Sequence, residues 1–201
     1  QNGYLNRSRV SLDYIPRDNN HPYRPAIIFR MAEAYLSYAE ALNESSERMS
    51  HKQEILDNLN KIRHRAGIAE YGTGTDENGF TRIKINFSDQ KEVRRLIHKE
   101  RRVEFVGEGV RYHDLRRWKT AHYGIGNLNE QGENPDWGVN GPDYGMNYYG
   151  TEYTDQGDNA FFKRTKYMDR VYPRKFYWYP IPQSEIDKDP TLVQGPFWLG
   201  E

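Results

Sequence analysis

From Ile27 to about Glu44, apolar residues recur at three- and four-residue steps: Ile28, Met31, Ala32, Tyr35, Ala39 and Leu42. Glu33, Ser37, Glu40 and Glu44 fall on the other side, so the spacing predicts an amphipathic helix. A second helix is expected from about His51 to Ala66, with Ile55, Leu59, Ile62 and Ala66 as its stripe. Ser50 would be its N-cap and Gly67 the residue that stops it. Two such helices joined by a short polar loop make an antiparallel hairpin about the size of one tetratricopeptide unit. No second copy of that unit occurs, and a lone unit cannot bury both of its apolar faces. The hairpin must therefore pack on a later part of the chain or on a portion that precedes it.

Residues 69–80 are rich in Gly and Thr and read as loop, while Ile83, Ile85 and Phe87 alternate and predict a short strand over Thr81 to Phe87. A third helix is expected from about Asp89 to Val106, capped by Ser88. A fourth runs from about Val110 to Ala121, after Gly107 and Gly109. Residues 1–26, punctuated by Pro16, Pro22 and Pro25, read as an irregular lead-in. Residues 122–160 carry many Gly and Asn together with Tyr123, Trp137, Tyr144, Tyr148, Tyr149 and Tyr153. A long irregular stretch of this kind is often functional. The pattern as a whole predicts a mainly α fold with long loops and at most short strands.

The third helix carries the most unusual chemistry. Val93, Leu96, Ile97, Glu100, Val103 and Glu104 share one broad face, which puts two carboxylates in line with the apolar stripe. Buried carboxylates need cations and N–H donors, and Arg63, Arg65, Arg101, Arg102, Arg111, Arg116 and Arg117 supply guanidinium groups. Two roles fit. One is a structural ion-pair network drawing on Arg63, Glu100, Glu104, Arg111, Asp114 and Arg117, in which Asp114 meets Arg111 and Arg117 at three-residue spacing. The other is a carboxylate pair, Glu100 and Glu104, for glycoside cleavage, which also requires a cleft and split pKa values. The network is the preferred reading.

Composition narrows the function. The 29 basic and 29 acidic residues give a formal net charge of zero, which argues against a general nucleic-acid binder or an anionic membrane surface as partner. Hydrophobic residues make up 36%, yet there are 16 Tyr, 8 Phe and 4 Trp, so aromatic rings share the work of the core or form binding surfaces. Cysteine is absent, which removes disulfides, thiolate metal sites and cysteine nucleophiles. No apolar run is long enough to span a bilayer as a helix. The first residue is Gln1 rather than Met, so the start looks like a processed end or an excerpt.

Four ordered blocks carry a family resemblance. Arg30-Met31-Ala32-Glu33-Ala34-Tyr35-Leu36 with Tyr38-Ala39-Glu40-Ala41-Leu42-Asn43 is similar to the "RxAExxLxxAEAxN" helix of SusD/RagB proteins. Leu59-Asn60-Lys61-Ile62-Arg63 with Arg65-Ala66-Gly67-Ile68 resembles their "LNxIRxRAGx" segment. Glu100-Arg101-Arg102-Val103-Glu104-Phe105, Glu108-Gly109, Arg111, Asp114-Leu115 and Arg117-Trp118 resemble "ERRxEFxxEGxRxxDLxRW". Pro180-Ile181-Pro182, Glu185-Ile186 and Asp189-Pro190 resemble "PIPxxEIxxNP", with Asp189 where Asn is usual. The tail Gln194-Gly195-Pro196-Phe197-Trp198 departs from the family's "QNPGY".

The resemblance implies that residues 1–201 are the carboxy-terminal portion of a SusD/RagB-type domain. The amino-terminal half would be absent, and 122–160 would be a loop insertion on a tetratricopeptide-like scaffold. It implies a non-catalytic, lipid-anchored protein on the outer face of a Gram-negative outer membrane. There it would bind oligosaccharide or polysaccharide and pass it to a SusC-like TonB-dependent transporter, with no cofactor. A helical scaffold for protein partners is the alternative from another class, and a peptide ligand is a variant of the binding role.

Sugars stack C–H faces on aromatic rings and need polar partners for their hydroxyls. Trp137, Asn140, Tyr144, Asn147, Tyr148 and Tyr149 have that composition and are the glycan-binding candidates. The same rings could instead tack the loop onto the scaffold or touch the transporter. Asp136, Asp143, Asp155 and Asp158 lack EF-hand spacing for calcium. The six His show no HExxH pattern, and His98 and His113 read as surface or packing residues. No P-loop and no GxGxxG occurs.

Overall fold

The first helix forms as α1, Met31–Glu44, the second as α2, Lys52–Ala66, and the third as α3, Gln90–Glu104. These come from a computed structural model that describes residues 27–124, 138–147 and 161–199. The described residues fall into two compact units that divide between Arg111 and Tyr112.

In the first unit α1 packs against both α2 and α3. The core joins Ala32, Leu36, Ala39 and Leu42 of α1, Ile55, Leu59 and Ile62 of α2, and Val93 and Ile97 of α3 with Tyr71 and Phe105. The hairpin thus finds its covering within this chain, on α3. The α1 stripe lies one step from the expected one. Leu36 is fully buried, whereas Ile28 and Met31 are exposed, because the helix begins only after Arg30, whose backbone is extended.

The caps also differ from expectation. Ser50 donates its hydroxyl to the Glu47 carbonyl at 2.7 Å, and α2 begins two residues later. Gly67 ends α2 in the left-handed region, φ +66°, where a Cβ would be disfavoured. Asp89, not Ser88, caps α3, accepting from the Lys91 and Glu92 amides. The expected strand from Thr81 to Phe87 does not form. Only isolated bridges occur, Thr75 with Thr81 and Tyr71 with Ile83, while Ile85 and Phe87 pack against the core.

Side chains organise this loop in place of a ladder. The Asn60 amide donates to the Tyr71 carbonyl at 2.9 Å and accepts from the Tyr71 N–H at 2.8 Å. Asp76 accepts from the amides of Phe80 (2.8 Å), Asn78 (3.0 Å) and Glu70 (3.1 Å).

The second unit contains most of α4, Val110–Arg117. This helix stops four residues short of the expected Ala121 because Lys119 turns into the left-handed region at φ +55°. The segment read as loop contains a strand. β1, Gly141–Met146, pairs antiparallel with β2, Arg164–Arg170, with a register shift between Asp143 and Tyr144. A single helical turn at Arg174–Tyr177 and the short α5, Gln183–Ile186, follow. No helix among the described residues is long and apolar enough to cross a membrane.

The Asp76 cradle has a pH signature. Desolvation pushes its carboxyl up, but the backbone donors of Phe80, Glu70 and Asn78, with Arg82 nearby, outweigh this and hold it below the ordinary carboxylate range. A depressed folded-state value stabilises the loop above the unfolded pKa of about 3.9. That support is lost as pH falls through the lower folded value. Hydrogen-exchange protection factors at Asn78 and Phe80 should fall on acidification below about pH 4, and Asp76→Asn should flatten that dependence.

Candidate functional site

Glu100 comes from the buried face of α3 and is itself buried. Its Oε1 accepts from Arg63 Nη1 at 2.6 Å and from the Tyr71 hydroxyl at 2.8 Å. Arg63 in turn donates its Nε to the Ala69 carbonyl at 2.5 Å and lays its guanidinium 4.4 Å from the Tyr71 ring centre. Burial first, then the neighbouring Glu100 carboxylate, raises the Tyr71 phenol well above its usual pKa. Tyr71 therefore keeps the proton it donates.

Glu104, one turn on, accepts from Arg65 Nη2 at 2.6 Å on both oxygens and also from Arg30 Nη1. Arg30 further holds the Glu104 carbonyl at 2.8 Å and both oxygens of Glu108 at 2.9 Å. The two carboxylates thus sit in separate guanidinium clusters. Glycoside cleavage needs one acid raised in pKa and one free base across an open bond. These groups are instead saturated by cationic donors.

A second buried cluster was not singled out from sequence. His98 and Arg101 of α3 approach Glu40 of α1 at 4.0 and 3.9 Å, and Arg101 donates to Ser37 at 3.0 Å. The inclusion of Glu40 and His98 among the buried residues is what a helical-face count toward α1 could have revealed. Asp114 is buried and accepts from Arg117 Nε at 2.9 Å. Arg111 is half-buried.

The glycan-binding candidates separate. Trp137, Tyr148 and Tyr149 lie outside the described residues, as do Asp136, Asp155 and Asp158. Asn140 is an anchor. Its amide nitrogen donates to the carbonyls of His122 (2.6 Å) and Tyr172 (3.3 Å), and its oxygen accepts from the Tyr172 N–H. That leaves little capacity for a ligand, so Asn140 serves the fold. Asn147 pairs its backbone with Lys163 and Phe162 at 3.0 and 2.8 Å. Tyr144 is exposed on β1, and the Arg164 guanidinium lies 4.0 Å from its ring centre. Asp143 is 3.5 Å from Arg170, and no metal-holding cluster of His, Cys, Asp or Glu occurs among the described residues.

Sequence reasoning missed the surface around Arg116. Its guanidinium donates to the carbonyls of Tyr177 (2.6 Å) and Phe176 (2.7 Å) and to the Tyr112 hydroxyl (2.9 Å). Phe176 with Trp198 and Trp178 with Phe197 form ring pairs 6.2 and 5.7 Å apart. The aromatic density of 172–179 was the available signal; its coupling to Arg116 was not readable.

The SusD family model matches residues 1–198. The chain belongs to the SusD/RagB family. SusD-like protein P25 of Formosa agariphila is 32% identical over 109 residues, which are 54% of this chain and 18% of the relative. SusD-like protein P38 of the same organism is 32% identical over 103 residues, 51% and 19% of the respective lengths. The crystal structure of a SusD-like protein from Bacteroides fragilis aligns with a TM-score of 0.54 at 27% identity, covering 86% of this chain and 26% of that one. The chain thus spans less than a fifth of the curated SusD-like relatives it matches and about a quarter of the solved one.

Arg63 with Glu100 and Arg65 with Glu104, all within the blocks that resemble the family pattern, are the pairs joined here across α2 and α3. Asp189, at the position usually Asn, needs only an acceptor. Its Oδ1 takes the Thr191 hydroxyl at 2.6 Å and the Thr191 amide at 3.0 Å, bonds that also hold its carboxyl below the ordinary range.

Removing one side of a buried charge pair leaves the other uncompensated. Glu100→Gln should cost about 3–5 kcal/mol in urea unfolding of the full chain. Tyr71→Phe removes one donor to a charged acceptor and should cost about 1.5–3 kcal/mol.

Proposed function

We propose that this SusD/RagB chain is part of a non-catalytic, surface-exposed glycan-binding protein that delivers oligosaccharide to a SusC-like TonB-dependent transporter. The observation that carries this reading is the state of the two helix carboxylates. Glu100 is closed off by Arg63 and Tyr71, and Glu104 by Arg30 and Arg65. They brace a scaffold, and neither of the two is left open to act as acid or base in hydrolysis. Lipid anchoring at the outer membrane belongs to the same proposal and rests on family membership.

Recognition is assigned to the second unit. Tyr144 presents an exposed ring on β1, with Arg164 against it and Lys166 opposite it in the register. A ring supplies the stacking surface that a sugar's C–H face needs, and the cations supply hydroxyl partners. Trp137, Asn147, Tyr148 and Tyr149 are proposed, on their chemistry alone, as further glycan contacts.

Isothermal titration of the full-length protein against a panel of neutral oligosaccharides, paired with product chromatography, tests the proposal. Binding without any shorter product is expected. Tyr144→Ala should weaken it about three- to tenfold, the scale of a lost aromatic contact, while Tyr144→Phe keeps most of it. Steady release of shorter sugars, abolished by Glu100→Gln in a protein that still folds, would replace this reading with a hydrolase.

A further inference from the structure

A cavity of about 330 Å³ opens in the first unit between α2 and the loop that follows it. Its size is at the low end for small-molecule sites, enough for one ring. Leu56, Ile85 and Phe87 give it an apolar surface, and Arg82 and Lys84 enter its lining with no Asp or Glu among the lining residues. The walls are preformed. Asn60 clasps both backbone groups of Tyr71, Gly72 N–H donates to the Ile83 carbonyl at 2.8 Å, and Ile83 N–H to the Glu70 carbonyl at 2.8 Å. Gly72 sits at φ +133°, a backbone conformation that side chains rarely adopt.

The two cations are not used up by the fold. Arg82 gives Nη2 to Glu70 at 2.9 Å, but its Nε is buried without a hydrogen-bond partner. Lys84 is exposed and makes no ion pair among the described residues. An apolar floor under two cations, of which Glu70 neutralises only Arg82, selects a compact ligand with one flat C–H face and one negative group.

We propose that this pocket binds a monoanionic sugar ring, a uronic acid or its sulfate-bearing counterpart, with the C–H face on Phe87 and Ile85 and the anion on Arg82 and Lys84. The proposal rests on the glycan-binding reading but uses a different surface from Tyr144. It therefore makes this protein selective for acidic glycans through a second subsite.

Backbone amide NMR of the full chain titrated with glucuronate, glucose and glucose 6-sulfate tests it. Glucuronate or the sulfate ester should shift the Gly72, Arg82 and Lys84 amides, whereas glucose should not. Whichever acid binds more tightly identifies the anion the site is built for. Lys84→Gln, at a side chain that makes no hydrogen bond or ion pair among the described residues, should weaken the acid about tenfold, the scale of a lost charge-assisted hydrogen bond. No shift with either acid, equal binding of glucose, or an unchanged affinity in Lys84→Gln would overturn the proposal. Neutral-oligosaccharide binding that depends on Tyr144 and survives Lys84→Gln would show that the broader glycan-binding reading stands without it.

Discussion

The first unit depends on one carboxylate. Glu100 occupies a core position on α3, where an apolar residue would ordinarily sit, and an unpartnered charge there would be untenable. Arg63 reaches it from α2 and Tyr71 from the loop beyond. One oxygen atom therefore fixes the mutual position of two helices and the start of the 69–87 loop. The stacking of the Arg63 guanidinium on the Tyr71 ring and its bond to Ala69 determine where the chain goes after Gly67. Glu104 repeats the device nearer solvent with Arg30 and Arg65. Buried pairs of this kind are weak evidence for net stability. Their value here is positional: each guanidinium fork accepts one register of its neighbours.

The same economy recurs in neutral form. Asn60 pairs with both backbone groups of Tyr71, Asn140 with both of Tyr172, and Gln194 with both of Ile181. In each case a side-chain amide stands in for a neighbouring strand and satisfies a donor and an acceptor of irregular backbone at once. With only 36% hydrophobic residues, the protein adds such clasps to apolar packing in fixing its described loops. The consequence is that the irregular backbone at Tyr71, Tyr172 and Ile181 is held in place among the described residues, which suits recognition by loop surfaces.

The helices were legible because their period is written in contiguous residues, and Gly67 stops α2 as the sequence predicts. The pairing of Glu100 and Arg63 was legible as a requirement, since a carboxylate on an apolar stripe demands a cation, but not as a geometry. β1 was not legible: Gly141-Pro142-Asp143-Tyr144-Gly145-Met146 has no alternation, and its strand character comes from β2, more than fifteen residues away. The alternation over Thr81 to Phe87 misled because its backbone meets the preceding loop only at isolated points, Arg82 with Gly74 and Ile83 with Glu70 and Gly72, and no ladder continues from them. Asn140 looked like a sugar partner by composition; its clasp on Tyr172 depends on a distant contact that composition does not encode. Tyr144 remains the described glycan candidate with an exposed ring, whereas Trp137, Tyr148 and Tyr149 rest on composition alone.

A double-mutant cycle on Arg63 and Glu100, read by urea unfolding of the full chain, probes the bracing most directly. The account predicts that Arg63→Met and Glu100→Gln together cost less than the sum of the two alone, by at least about 2 kcal/mol, since the second change removes a charge the first had stranded. Costs that simply add would show that the two groups do not depend on each other, and the carboxylate would no longer be the piece that positions the helices.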